Sequence, residues 1–175
     1  GQIMAKNILT AYFSASGNTE KMAKKIADFI SCDIFKISPQ EEYKSEDLDW
    51  RNKNSRACLE NKNPSTRPKI KNNVENFNSY DLILLGFPIW WHKAPLIINT
   101  FLESYDFSNK KIIYFMTDEG SVNLEVQENL KPSLKSNVKI EEGLLMQGPI
   151  NEQELKNWLK KIGLIKKSFK IKNPN

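Results

Sequence analysis

Three nearly unbroken apolar runs punctuate an otherwise polar chain: Ile8-Leu9-Thr10-Ala11-Tyr12-Phe13, Leu82-Ile83-Leu84-Leu85-Gly86-Phe87 and Ile112-Ile113-Tyr114-Phe115-Met116. Each is too short for a helix, and parallel strands buried on both faces read this way. The pattern predicts strands at Asn7–Phe13, Asp81–Phe87 and Lys111–Met116, with weaker ones at Asp33–Ile37 and Val138–Leu145. Between them the apolar period becomes helical. The first helix is expected over Thr19–Ile30, where Met22, Ile26, Phe29 and Ile30 form a stripe. Others are expected at Pro95–Ser104, near Asn123–Leu130 and at Asn151–Ile162. Alternating strands and helices imply right-handed crossovers and an α/β doubly wound parallel sheet with helices on both faces. One stretch breaks the rhythm. Ser38–Phe77 is long, polar and rich in Asn, Lys, Ser and Pro, with a single helical piece near Trp50–Glu60.

Composition narrows the class. With 175 residues the chain fits one domain with a full core. That domain is expected over residues 6–163, with residues 1–5 a tag remnant or disordered and residues 164–175 a basic tail. The longest apolar run is well short of the ~18 residues of a membrane span, and the N-terminus lacks a secretory pattern. Cys32 and Cys58 fit no zinc or redox spacing, so both read as reduced thiols of a cytoplasmic protein. The net charge of +5 comes from residues 151–175, with seven lysines against two glutamates; the remainder is balanced. That tail could touch an anionic surface or simply be solvated. No helix-turn-helix, zinc finger or RNA-binding aromatic motif points to nucleic acid.

In doubly wound sheets, ligands bind at the carboxyl ends of the strands. Three loops fall there. The first, Ser14-Ala15-Ser16-Gly17-Asn18-Thr19, offers hydroxyl and amide donors at the start of a helix, whose free N–H groups favour an anion. It contains no lysine and no Gly-x-Gly-x-x-Gly, which argues against a nucleoside triphosphate or a dinucleotide pyrophosphate. A phosphate monoester fits it, and so does an ordinary helix cap. The second loop, Pro88-Ile89-Trp90-Trp91-His92, puts adjacent indoles where the chain leaves a buried strand. Indole faces stack on flat rings. His92, the only histidine, could sit by such a ring, contact a substrate or have no task. In the third loop, Thr117-Asp118-Glu119-Gly120, Thr117 and Gly120 suit close approach. Asp118 and Glu119 would bring negative charge, disfavouring an anionic reduced ring and lowering its potential. A ligand with one phosphate and one flat ring is flavin mononucleotide (FMN).

These residues are familiar as a set. Tyr12-Phe13-Ser14-Ala15-Ser16-Gly17-Asn18-Thr19, Gly86-Phe87-Pro88-Ile89-Trp90-Trp91, Ala94-Pro95 and Asn99-Thr100-Phe101-Leu102-Glu103 stand in this order, with Asn54-Ser55-Arg56 to Arg67-Pro68 between the first two. The chain resembles the flavodoxin-like superfamily, and its small bacterial flavodoxin or FMN-dependent oxidoreductase branch, over about residues 6–163. The resemblance implies five parallel strands in the order 2-1-3-4-5 and non-covalent FMN. Ser14, Ser16, Gly17, Asn18 and Thr19 would then hold the phosphate. Pro88, Ile89, Trp90, Trp91 and His92 would line one side of the ring, and Thr117 to Gly120 another. Two departures stand out. Relatives commonly have small residues where Asp118 and Glu119 stand, and a Gly or Tyr in place of His92.

Three functions are compatible with the sequence. The first is an electron carrier between redox partners, whether proteins or small acceptors. The second is an NAD(P)H-dependent oxidoreductase acting on a quinone or similar molecule. The third is a binding module that has lost its flavin. Within the long segment, Trp50 could cover the site or be a surface contact, and Arg56 could recruit an anion or form an internal salt bridge.

Overall fold

The computed structural model describes residues 7–166. The five strands are β1 (Ile8–Tyr12), β2 (Asp33–Lys36), β3 (Leu82–Pro88), β4 (Lys111–Asp118) and β5 (Lys139–Gln147). They form one parallel sheet in the order β2-β1-β3-β4-β5, as the resemblance implies. The helices are α1 (Asn18–Ile30), α2 (Arg56–Lys62), α3 (Leu96–Glu103), α4 (Val126–Leu130) and α5 (Glu152–Lys161). The tag-remnant reading of residues 1–5 lies outside the described residues, as do residues 167–175 of the basic tail. No helix among the described residues is long and apolar enough to cross a membrane.

The alternation of side chains along each strand splits the core into two layers. On one face Leu82, Leu84, Ile113 and Phe115 meet Met22 and Ile26 of α1 and Leu155, Trp158 and Leu159 of α5. On the other, Leu9, Ala11, Ile83, Leu85 and Tyr114 meet Ile97, Ile98 and Phe101 of α3 and Leu130 of α4. Ile37, Tyr43, Ile70 and Val74 from the long inter-strand segment join this second layer. That segment is therefore folded onto the domain.

Two glycines are fixed by packing. A Cβ on Gly86, in the middle of the sheet, would lie 2.2 Å from Phe115. One on Gly143 would lie 2.6 Å from both Trp158 and the Tyr114 carbonyl. Gly143 also stands where the β4–β5 register slips by one residue, between Tyr114 and Met116. A strand glycine commonly marks such a bulge. Beyond it the pairing resumes and carries β5 to the same edge as the other loops.

Element boundaries differ from the expectation mainly near that edge. β4 and β5 each run two residues further, because Thr117 and Asp118 still pair with Met146 and Gln147. α2 begins at Arg56 rather than near Trp50, since the Ser55 hydroxyl accepts from the Cys58 N–H and caps it there. α4 is confined to Val126–Leu130, because Asn123 has a left-handed backbone and the Glu125 N–H is committed to the His92 carbonyl.

Candidate functional site

Four loops meet at the carboxyl edge of the sheet. In the first, Gly17 caps α1 with φ +97°, a conformation that strains any side chain even though the space beside it is open. Its N–H donates to the Ser14 hydroxyl at 3.1 Å, and its carbonyl accepts from the Lys21 N–H. The amides of Asn18, Thr19 and Glu20 then open the helix without intrahelical partners. Ser16 and Asn18 are exposed at the mouth, whereas Thr19 is buried. The hydroxyls of Thr19 and Thr117 share a hydrogen bond of 2.7 Å that ties this loop to the end of β4. Glu20, in the same turn, accepts from the Tyr12 hydroxyl at 2.9 Å and lies near Lys24 and Lys36. That hydrogen bond, helped by the two lysines, holds its carboxyl below the usual range, while burial and the carboxylate push the Tyr12 phenol up.

The second loop reverses within two residues. Trp90 and Lys93 exchange both backbone hydrogen bonds, at 2.9 and 3.0 Å, while Trp91 and His92 between them have φ of +48° and +67°. Two successive positive φ values define the primed type I hairpin turn, which normally takes Asn-Gly. Non-glycine residues held in the left-handed region cost about 1 kcal/mol or more each. With the His92 contact to the Val122 carbonyl given up in exchange, the double variant Trp91→Asn/His92→Gly is expected to gain a net ~1 kcal/mol, raising the melting temperature of the ligand-free protein by roughly 2–4 °C. An unchanged or lower value in a calorimetric scan would show that the side-chain contacts outweigh the strain.

Trp90 is held from behind. Phe13 meets it edge-on at 5.7 Å and Tyr43 at 5.4 Å. The Tyr43 hydroxyl donates to Glu60 at 2.7 Å, and the Arg56 guanidinium lies 3.8 Å over the Tyr43 ring while also pairing with Glu60. Burial and the Glu60 carboxylate push the Tyr43 phenol well up, so it stays a donor. Arg56 is thus an internal salt-bridge residue whose cluster backs the indole wall. Arg67 likewise pairs with Glu103 at 2.9 Å.

The third loop is tied to its neighbours. The Asp118 carboxylate accepts from the N–H groups of Gly120 and Ser121 and from the Ser121 hydroxyl, so its charge is spent on its own turn. Glu119 and Gly120 are exposed, and Gly120 has φ +141°. His92 Nδ1 lies 2.8 Å from the Val122 carbonyl, and the His92 carbonyl accepts from the Glu125 N–H at 2.8 Å. The histidine therefore clips the second loop to the third. A fourth loop follows β5, where the Gly148 N–H donates to the Asp118 carbonyl at 3.0 Å.

A cavity of about 710 Å³ opens between these loops, within the range of ~300–1,000 Å³ typical of small-molecule sites. It brings together Ser16, Asn18, Pro88, Ile89, Trp90, Thr117, Asp118 and Glu119 from the sequence expectation. Ser14, Gly17, Thr19, His92 and Gly120 do not line it, and Trp91 opens onto a neighbouring slot. Lys21 and Lys25 of α1, and Gly148, Pro149 and Ile150 after β5, are additional lining. The lysines follow Asn18 at helical spacing, three and seven residues on, a signal that lies outside the loop itself. Helix amides, neutral donors and Lys21 suit a phosphate, with Lys25 paired to Glu152 behind it, and an indole wall with strand-end backbone suits a flat ring, so the residues fit FMN. Among the described residues no cluster of His, Cys, Asp and Glu could hold a metal.

The family profile described as Flavodoxin matches residues 7–162. No curated protein matches the chain. Among solved structures, the chain is similar to a protein assigned as a flavoprotein from Bacteroides eggerthii, with 39% identity and TM-score 0.81, covering 89% of this chain and 97% of that one. It is similar to another so assigned from Bacteroides uniformis, with 37% identity and TM-score 0.80 over 88% and 97% of the two chains. A Lactobacillus acidophilus flavoprotein in complex with FMN shares the fold, at 23% identity and TM-score 0.66 over 88% and 99%.

Proposed function

The chain belongs to the flavodoxin family, and from that premise we propose that it binds FMN non-covalently at the carboxyl edge of the sheet and carries electrons between redox partners in the cytoplasm. One observation carries this reading. The phosphate-type donors after β1, the indole wall after β3 and the strand-end backbone after β4 line a single cavity. The FMN complex of the Lactobacillus protein of the same fold supports it.

FMN supplies one- and two-electron redox chemistry when bound; the chain's residues bind it and set its surroundings. Ser16, the Asn18 side chain and the amides of Asn18 to Glu20 hold the phosphate. Lys21 adds positive potential, whereas the Lys25 ammonium is already paired with Glu152. Ser14 and Thr19 act one step back, through Gly17 and Thr117, by fixing the loop. Pro88, Ile89 and Trp90 form one wall, with Trp91 at its edge and His92 locking it in place. Thr117, Asp118 and Glu119 form another, with Gly120 in the turn that follows them. Glu119 brings an uncommitted carboxylate to the rim, which disfavours added negative charge on the ring and lowers its potential.

A second reading, an oxidoreductase for a small acceptor, is favoured by the aromatic slot that adjoins the cavity at Trp91. Anaerobic mixing of the FMN-loaded protein with NADH or NADPH separates the two. A carrier loses its visible flavin absorbance no faster than free FMN does. Fast bleaching that saturates with NAD(P)H would replace the carrier reading with the oxidoreductase.

A further inference from the structure

We propose that the slot between Trp50 and Trp91 binds an uncharged, planar aromatic molecule beside the FMN cavity; its adjacency to FMN rests on the function proposed above. The slot measures about 340 Å³. Its walls include Leu48, Trp50, Ala57 and Trp91, and it shares Ser16, Pro88, Ile89 and Trp90 with the larger cavity. A molecule in it would therefore abut whatever fills that cavity.

Three features define the occupant. Among the described residues no ionisable side chain lines the slot, and the charge beside it is the Arg51 guanidinium, 5.8 Å over the Trp50 ring. The cavities on either side differ: one carries Lys21, Lys25, Asp118 and Glu119, the other Glu60, Arg67, Lys93 and Glu128. An ion entering the slot would lose hydration without gaining an unpaired partner, because the Arg51 guanidinium is already engaged by Asp49 at 3.5 Å. Second, the slot has three indoles in its walls, two of them among the few large apolar side chains left exposed, Trp50 at 72% and Trp91 at 37%. Indole faces favour flat rings, which recover contact area on both sides.

Third, Trp50 is displayed from a braced backbone. The Cys58 thiol lies 3.6 Å from the Trp50 carbonyl and 3.8 Å from that of Asp49, on a helix capped by Ser55. The Arg51 N–H donates to Asp49 at 3.0 Å. The turn is thus built to hold an indole out at the rim of the slot, where water would otherwise oppose leaving it. Because so much of Trp50 is exposed, Trp50→Ala leaves the core untouched.

The test is equilibrium dialysis of the full chain, with and without FMN, against 2-methyl-1,4-naphthoquinone and against 1,4-naphthoquinone-2-sulfonate. The neutral quinone is expected to bind at least tenfold tighter than the sulfonate. Trp50→Ala is expected to weaken the quinone roughly five- to tenfold, the scale of one aromatic contact, and to change FMN affinity less than twofold. Equal binding of the sulfonate, or quinone affinity unchanged by Trp50→Ala, would overturn the proposal. So would a Trp50→Ala variant that loses FMN instead, because the indole would then be a wall of the flavin site. A chain that takes no FMN but binds the quinone through Trp50 would retain the slot while refuting the FMN reading.

Discussion

Trp90→Ala is expected to weaken FMN binding by roughly ten- to a hundredfold, since one stacked aromatic contact is worth about 1–3 kcal/mol. The indole is half-buried, wedged edge-on between Phe13 and Tyr43, and lines the main cavity, the adjoining slot and the cavity beyond. Its removal takes away a wall and the packing that holds Tyr43. Part of the loss will therefore be conformational. Trp90→Phe separates the contributions, because a phenyl ring keeps a stacking face; it should stay within about tenfold of the parent. Fluorescence titration of FMN, with circular dichroism to confirm folding, reads both variants. Parental affinity in a folded Trp90→Ala protein would place the ring elsewhere.

Gly86→Ala is expected to destabilise the fold by about 1–3 kcal/mol or more, the usual cost of overpacking a core. A Cβ there would sit 2.2 Å from the Phe115 ring, which is fully buried and pairs across from Gly86 in the sheet register. Neither backbone can give, because β3 is flanked by β1 and β4. Phe115 is packed in the layer beneath α1 and α5, where it meets Trp158. The clash is with a side chain, so Phe115→Leu should recover part of the loss in the double variant, as contacting residues couple. Urea denaturation measures this as the midpoint shift at constant slope. A midpoint unmoved by Gly86→Ala would contradict the packing described for the sheet.

Much of the fold is legible in the chain because both periodicities are strong. The runs around Leu9, Leu84 and Tyr114 are buried on both faces and leave little alternative to central parallel strands. The stripe of Met22 and Ile26 likewise marks α1. Legibility falls where tertiary contacts override local preference. The last residues of β4 and β5 are strand because they pair with each other across a bulge at Gly143. α2 starts where Ser55 caps it, although apolar residues precede it.

The site divides in the same way. Ser16, Asn18, Pro88, Trp90 and Thr117 are visible as loop residues after strands, and the fold brings them to one cavity. Lys21 and Lys25 escape a reading centred on loops because they lie on a helix, and Gly148 to Ile150 because nothing in their composition marks them. The roles of His92 and Asp118 are not local properties of the sequence. One depends on the Val122 carbonyl thirty residues away, the other on how its own turn folds back.

The central claim is that this edge holds FMN through both its phosphate and its ring. Calorimetric titration of the ligand-free protein with FMN and with riboflavin tests it directly. Tight one-to-one binding of FMN, with riboflavin weaker by at least about a hundredfold as charge-assisted phosphate contacts predict, would bear the claim out. Equal affinity for the two would contradict the phosphate role of the loop before α1. A chain that takes up neither would be a flavodoxin fold without its flavin, and the claim that the cavity is an FMN site would be wrong.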